Sequence, residues 1–198
     1  KETTEILDKN MDVQAVCTGR VVQYKDFADY MPPPGNGRFT SIDWGWLIRK
    51  SVFEHEQYDE NLRANEDQDF GIRFFKRFCC ASITKPLQVA YDEWEDPRKS
   101  LSFPTERELN GMTAFFKKNW HEYTEYPKEL SHLFRTMGRK FYRGGREREG
   151  LRYFWLSFWT YKNLRTALHL FFILWGWRIY DIWMTAEEKL AAKRRKQK

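Results

Sequence analysis

The sequence predicts an α/β fold, a partial mixed sheet with flanking helices over residues 1–104, followed by an all-α extension over residues 105–198. Three observations predict it. Short β-branched or apolar runs alternate with loops and one strongly helical stretch in the first half. Amphipathic helical spacing takes over from about residue 105. The third is composition: 198 residues with 41% hydrophobic and 31% charged side chains suffice for one core and an appendage, and exclude wholesale disorder.

Thr3 to Lys9 is polar and can end a helix, and "VQAVCTGRVV" at 13–22 is short and β-branched enough for a buried strand. "MPPPGNGRF" then holds three prolines and two glycines and must be a loop. "WLIRKSVF" at 46–53 suits a strand leading into a turn of helix, with Ser51 as the cap. After Asn65, Phe70, Phe74 and Phe78 recur every four residues with Phe75 beside them, the spacing of a helix face. Asn65 with Gln68 three residues later predicts a capping box. "ASITKPLQVAYDE" predicts one or two short strands broken at Pro86.

In the extension, Pro127 suits a first helical turn. Leu130, Leu133, Phe134, Met137 and Phe141 form one stripe, and Gly144-Gly145 a stop. Leu151, Phe154, Trp155 and Phe158 form the next stripe, and Lys162-Asn163 a break before Leu164, so antiparallel helices are expected. "ALHLFFILWGW" is too short to span a bilayer, which needs about 20 apolar residues. It is either a helix buried against its neighbour or one lying in a lipid interface.

The net charge of +6 is concentrated at one end, where residues 185–198 carry six Lys/Arg against two Glu. Such an end is a solvated tail or a contact for an anionic membrane surface. Nucleic acid is not expected as a partner, because no zinc pattern, RNP-like strand or helix-turn-helix accompanies the charge. Aromatics make up 18%, which suits sugar stacking and a membrane interface as well as a core. Three cysteines form neither a disulfide framework nor a metal pattern, so a reducing cytoplasmic setting is expected, with the cytoplasmic face of a membrane as the second expectation. "KETTEILDKNMD" has no signal-peptide centre and no initiator Met, which suggests a piece of a longer protein.

The acidic stretch "NEDQDFGIRFF" at 65–75 admits two readings. Carboxylates favour a helix's first turn because they meet the positive end of its dipole, gaining about 0.3–1 kcal/mol each. A carboxylate in that position can also act as a general base toward a bound hydroxyl. A Ca²⁺ loop starting at Asp59 is excluded, because Arg63 and Ala64 stand where an oxygen ligand and a glycine are needed.

The order of features around this stretch decides what is expected of it. Gly45, the basic pair Arg49-Lys50, Phe53, the Tyr58-Asp59-Glu60 turn, Glu66-Asp67 and the downstream Arg73 resemble the second half of the catalytic domain of family 2 glycosyltransferases, which have the GT-A fold. The resemblance covers roughly residues 1–103. It implies an inverting transfer of a sugar from a nucleotide-sugar donor to a glycan or lipid-linked acceptor, as in cell-envelope glycan biosynthesis. In that scheme Asp67 is the general base and Glu66 helps position the acceptor. Asp43, Gly45 and Arg73 belong to substrate contact. Asp69 contacts acceptor or caps the helix, the cap being the first reading, and Trp44 stacks on a sugar or packs in the core.

The resemblance further implies a nucleotide-binding half upstream of Lys1, bearing most ligands of a divalent Mg or Mn ion, so that residues 1–198 alone would be inactive. Trp94 stands near the place where many members carry a His. Arg98 and Lys99 would then hold donor phosphate or be simply solvated. No metal ligand is assigned within the chain. The alternative to an enzyme is a non-catalytic peripheral membrane or scaffold module using the aromatic helices and the basic tail.

Overall fold

The computed structural model describes residues 2–24, 28–34, 37–43, 45–92, 105–176, 179–180, 182–183 and 186. Trp44, Trp94, Arg98, Lys99 and nearly all of the basic tail lie outside the described residues. The chain forms two compact units, Lys1–Asp96 and Pro97–Lys198, and no helix among the described residues is long and apolar enough to cross a membrane. The fold is mixed α/β, with helices and a small sheet.

The first unit is built on one strand. β1 (Val13–Tyr24) buries Ala15, Val16 and Cys17 completely. β3 (Trp46–Ile48) pairs antiparallel with Ala15 to Cys17, and β2 (Ala28–Met31) antiparallel with Arg20 to Gln23. β4 (Cys79–Asp92) runs parallel to β1 along its whole length. The same residues of β1 pair with β4 and with β2 or β3, so β2 and β3 share one edge of β1 and β4 takes the other.

Pro86 does not break β4. The register slips instead, from Thr18 opposite Ile83 to Gly19 opposite Pro86, so Thr84 and Lys85 are absorbed as an irregularity. A strand paired on one side only tolerates the lost N–H of proline. Gly19 is required at the slip, since a Cβ there would lie 2.7 Å from the Thr84 carbonyl oxygen.

α1 (Glu2–Lys9) precedes the sheet, and the Arg49 guanidinium reaches back to the carbonyls of Leu7, Val13 and Asn10, satisfying acceptors beyond the helix end. Ser51 is not a cap: it lies inside a 3-10 helix, Lys50–Glu54, whose first flanking residue is Arg49. α2 (Glu66–Phe74) buries Phe70 and Phe74 against Ala15, Ile42 and Val52, as the four-residue spacing predicts. Each such side chain contributes about 1.5–3 kcal/mol of burial. Gly71 lets the helix meet the backbone of Thr40, whose carbonyl oxygen would stand 2.1 Å from an added Cβ.

The second unit contains α3 (Glu106–Tyr123), α4 (Pro127–Arg143), α5 (Glu147–Thr160) and α6 (Leu164–Leu174). Pro127 occupies the first turn of α4, and Asn163 caps α6 by accepting from the Thr166 N–H at 2.9 Å. α4 and α5 are antiparallel, because Ser131 meets Ser157 while Gly138 meets Phe154 and Tyr142 meets Gly150. The α5 stripe differs from the expected one. Gly150, Phe154 and Ser157 face inward, and Trp155 points to solvent, because the two small residues allow helices to approach where Trp could not.

Candidate functional site

α2 starts without the expected capping box. Asn65 sits in the left-handed region at φ 60° and its side chain caps no backbone group. Its amide instead donates to the Gln68 side chain at 3.0 Å, so the two residues bond each other rather than the helix end. Left-handed backbone at Asn65 turns its side chain out of capping position.

The acidic residues of this turn have separate fates. Asp69 is fully buried and takes two bonds from Arg73, both at 3.1 Å. Arg73 also contacts buried Glu56, which Arg77 approaches to 2.9 Å. Asp69 and Arg73 therefore belong to an internal ion-pair network joining α2 to the 3-10 helix segment. Glu66 is exposed.

Asp67 is half-buried, and one of its oxygens, Oδ1, accepts the Gln68 N–H at 2.9 Å. Among the described residues its other oxygen carries no hydrogen bond. The backbone carbonyl of Asp67 accepts from the Ile42 N–H at 3.2 Å, which fixes the segment carrying Asp43 beside the start of α2. Burial pushes the Asp43 carboxyl above the usual carboxylate range; Arg20, 3.8 Å away, opposes this and the Asp67 charge adds to it. The Tyr58 hydroxyl donates to the Ile42 carbonyl at 3.2 Å, its ring stacked on Phe70 with 4.5 Å between centroids. Burial, then Asp67, Glu66 and Asp43, raise its phenol, so Tyr58 stays a neutral donor. Asp43, Asp67 and Tyr58 thus form one partly open acidic edge.

The same segment leads into a cavity. Gly45, at φ 127°, offers its carbonyl to the Thr18 N–H at 3.2 Å, and Trp46 pairs with Cys17. One residue separates Asp43 from Gly45, so their Cα atoms lie within about 7 Å. Gly45 lines a cavity of about 530 Å³ with Thr18, Trp46, Leu47, Leu87 and Gln88 of the strands and Glu2 and Thr3 of α1.

The polar chemistry of this cavity is unfinished. The Thr18 hydroxyl, the Trp46 indole N–H and the Gln88 carbonyl oxygen are three of the six buried side-chain polar atoms without a partner among the described residues. A buried polar atom left unpaired costs about 1–3 kcal/mol, so these three groups are the ones that water or a polar ligand in the cavity would pair with. Trp46, Leu47 and Leu87 supply apolar walls beside these groups. Nothing in the sequence order pointed to Thr18, Trp46 or Gln88, which come from three strands up to 70 positions apart. Gly45 is the one residue shared with the sequence-based expectation.

Among the described residues no group of three or more His, Cys, Asp or Glu side chains could hold a metal ion. Cys17, Cys79 and Cys80 are free thiols. No protein-family model, curated protein or solved structure matches this chain.

Proposed function

We propose that the first unit is the acceptor side of an inverting glycosyltransferase of family 2 type. The observation that carries this reading is the segment 42–46, which links the Asp43–Asp67–Tyr58 edge to a cavity with a free donor, a free acceptor and a hydroxyl between apolar walls. A sugar ring has that mixed character: apolar C–H faces rimmed by hydroxyl groups that both donate and accept.

Asp67 is assigned as general base. Its oxygen without a protein partner takes the proton of an acceptor hydroxyl as that oxygen bonds to the anomeric carbon of the donor. The bond from that carbon to the donor phosphate breaks, and the nucleoside diphosphate leaves with the electron pair. Attack opposite the leaving group inverts the configuration. Tyr58, held neutral, can steer the attacking oxygen. Asp43, whose carboxyl burial raises above the usual carboxylate range, stands beside Asp67 as a second carboxylate at the acceptor edge. In this reading the ligands of the expected Mg or Mn ion lie mostly outside residues 1–198, and the described residues hold no cluster of three or more ligating side chains.

In the full-length protein, Asp67→Asn should lower transfer by at least about a hundredfold, general-base losses being of that size. Binding of the nucleotide sugar should be retained. Asp69→Asn serves as the contrast, since Asp69 is walled in by Arg73, and its loss should lower stability before chemistry. Transfer undiminished by Asp67→Asn would overturn the assignment.

A further inference from the structure

α6 has two apolar faces, and the second unit covers one of them. Leu170 and Ile173 are buried with Tyr142, Phe154 and Tyr180, and His169 and Thr166 lie fully inside on the same side. On the opposite face Leu164, Leu168, Phe171 and Trp175 follow at intervals of four, three and four residues, which places them in one narrow stripe. All four are exposed, Leu164 to 76% and Trp175 to 65%. Trp155 and Trp159, one turn apart on α5, are exposed too, Trp159 to 68%. A helix apolar all round is expected inside a protein or in a lipid phase.

The charge pattern selects the occupant. Residues 150–180 contain four Lys/Arg, Arg152, Lys162, Arg165 and Arg178, and no Asp or Glu at all. Arg152, Lys162 and Arg165 are exposed, on α5, in the α5–α6 connection and in the first turn of α6. A second copy of this surface would bring like charges together, whereas an anionic surface would neutralise them. Tryptophan at the rim is the side chain that favours the headgroup layer. Length excludes a crossing: the eleven residues of α6 run about 16 Å at 1.5 Å each, against a hydrocarbon core of about 30 Å.

We propose that the outer stripe of α6, with Trp155 and Trp159, rests in the headgroup layer of an anionic bilayer, the helix lying parallel to the surface. This does not depend on the transfer chemistry assigned to Asp67. Leu164, Leu168 and Phe171 enter the acyl boundary, while Arg152, Lys162 and Arg165 meet lipid phosphates.

The test is co-sedimentation of the full chain with vesicles of phosphatidylcholine alone and of phosphatidylcholine with about one third phosphatidylglycerol. The wild-type chain should bind the anionic vesicles at least about tenfold more tightly, and raised salt should weaken that binding. Leu164→Gln/Phe171→Gln/Trp175→Gln should lose binding by about tenfold or more with an unchanged circular dichroism spectrum, since the three side chains are exposed. Arg152→Gln/Lys162→Gln should reduce only the preference for the anionic vesicles. Equal binding to both vesicles, or wild-type binding by the triple variant, would overturn the proposal. So would a wild-type dimer, seen by light scattering, that ignores vesicles and that the triple variant dissociates.

Discussion

Asp69 and Ser157 are both fully buried polar side chains, one in each unit, and their surroundings differ in kind. Asp69 is a charge held by a charge, tied to Arg73 and through it to Glu56. Ser157 is the hub of a neutral network: its hydroxyl lies 2.9 Å from that of Ser131 and 3.2 Å from that of Thr166, and donates to the Ser131 carbonyl at 2.7 Å. The contrast extends outward. The first unit leaves polar atoms unfinished around a cavity, whereas the second completes a hydroxyl network inside and leaves a row of large apolar side chains outside. Unsatisfied polar groups point to a polar ligand, and unsatisfied apolar area points to an apolar phase.

The sharpest way to break this comparison is to remove the ion pair. Asp69→Leu leaves Arg73 partly buried with one fewer carboxylate and should destabilise the first unit by about 3 kcal/mol. Hydrogen exchange resolved by segment should show lost protection over residues 2–92. A smaller change would mean that Glu56 alone suffices to hold Arg73.

Next come the glycines at the closest approaches. Gly71→Ala drives a Cβ into the Thr40 carbonyl, and Gly150→Ala drives one to 2.7 Å from the Tyr142 nitrogen and 2.9 Å from the Gly138 oxygen. Each should cost about 1–3 kcal/mol, Gly71→Ala the more, because its obstacle is nearer. Chemical denaturation of both variants checks the order.

Acid should weaken the second unit in particular. Burial first, and then Arg139, Arg135 and Arg165, push His169 down to about 3 from its ordinary value of 6.5. The unfolded chain therefore takes up a proton as the pH falls through about 6.5, and the folded unit does not until near 3. Stability present above pH 6.5 should be lost through that window by up to about 1.4 kcal/mol per pH unit. The difference in melting temperature between pH 7 and pH 5 should shrink in His169→Phe.

The smallest effect concerns the neutral network. Ser157→Ala removes the hub but leaves Thr166 bonded to Asn163, at 3.1 Å, so a loss of about 1 kcal/mol is expected in urea unfolding. A loss above about 3 kcal/mol would show that the network, rather than helix packing, holds α4, α5 and α6 together.

Much of the fold was legible because its signals are local. The four-residue recurrence of Phe70, Phe74 and Phe78, the proline opening α4 and the break at Lys162-Asn163 each act within one or two turns, and each stands where the spacing put it. The misplacements were local rules overridden from a distance. Ser51 is no cap because Arg49 is drawn to the end of α1, and Pro86 breaks nothing because β1 pairs past it with a slipped register. Trp155 fits an apolar stripe as well as Gly150 or Ser157 does in sequence, but only small residues let α4 and α5 touch.

The candidate site divides in the same way. The sequence by itself determined that Glu66, Asp67 and Asp69 would crowd a helix start and that α6 would be apolar, since both depend on neighbours within a few positions. Tertiary structure alone decided that Arg73, the i,i+4 partner of Asp69, also reaches Glu56, that Asp67 keeps an oxygen open beside Asp43, and that Thr18, Trp46 and Gln88 share a cavity. Helix phase and strand pairing bring together, or hold apart, groups that no spacing along the chain connects.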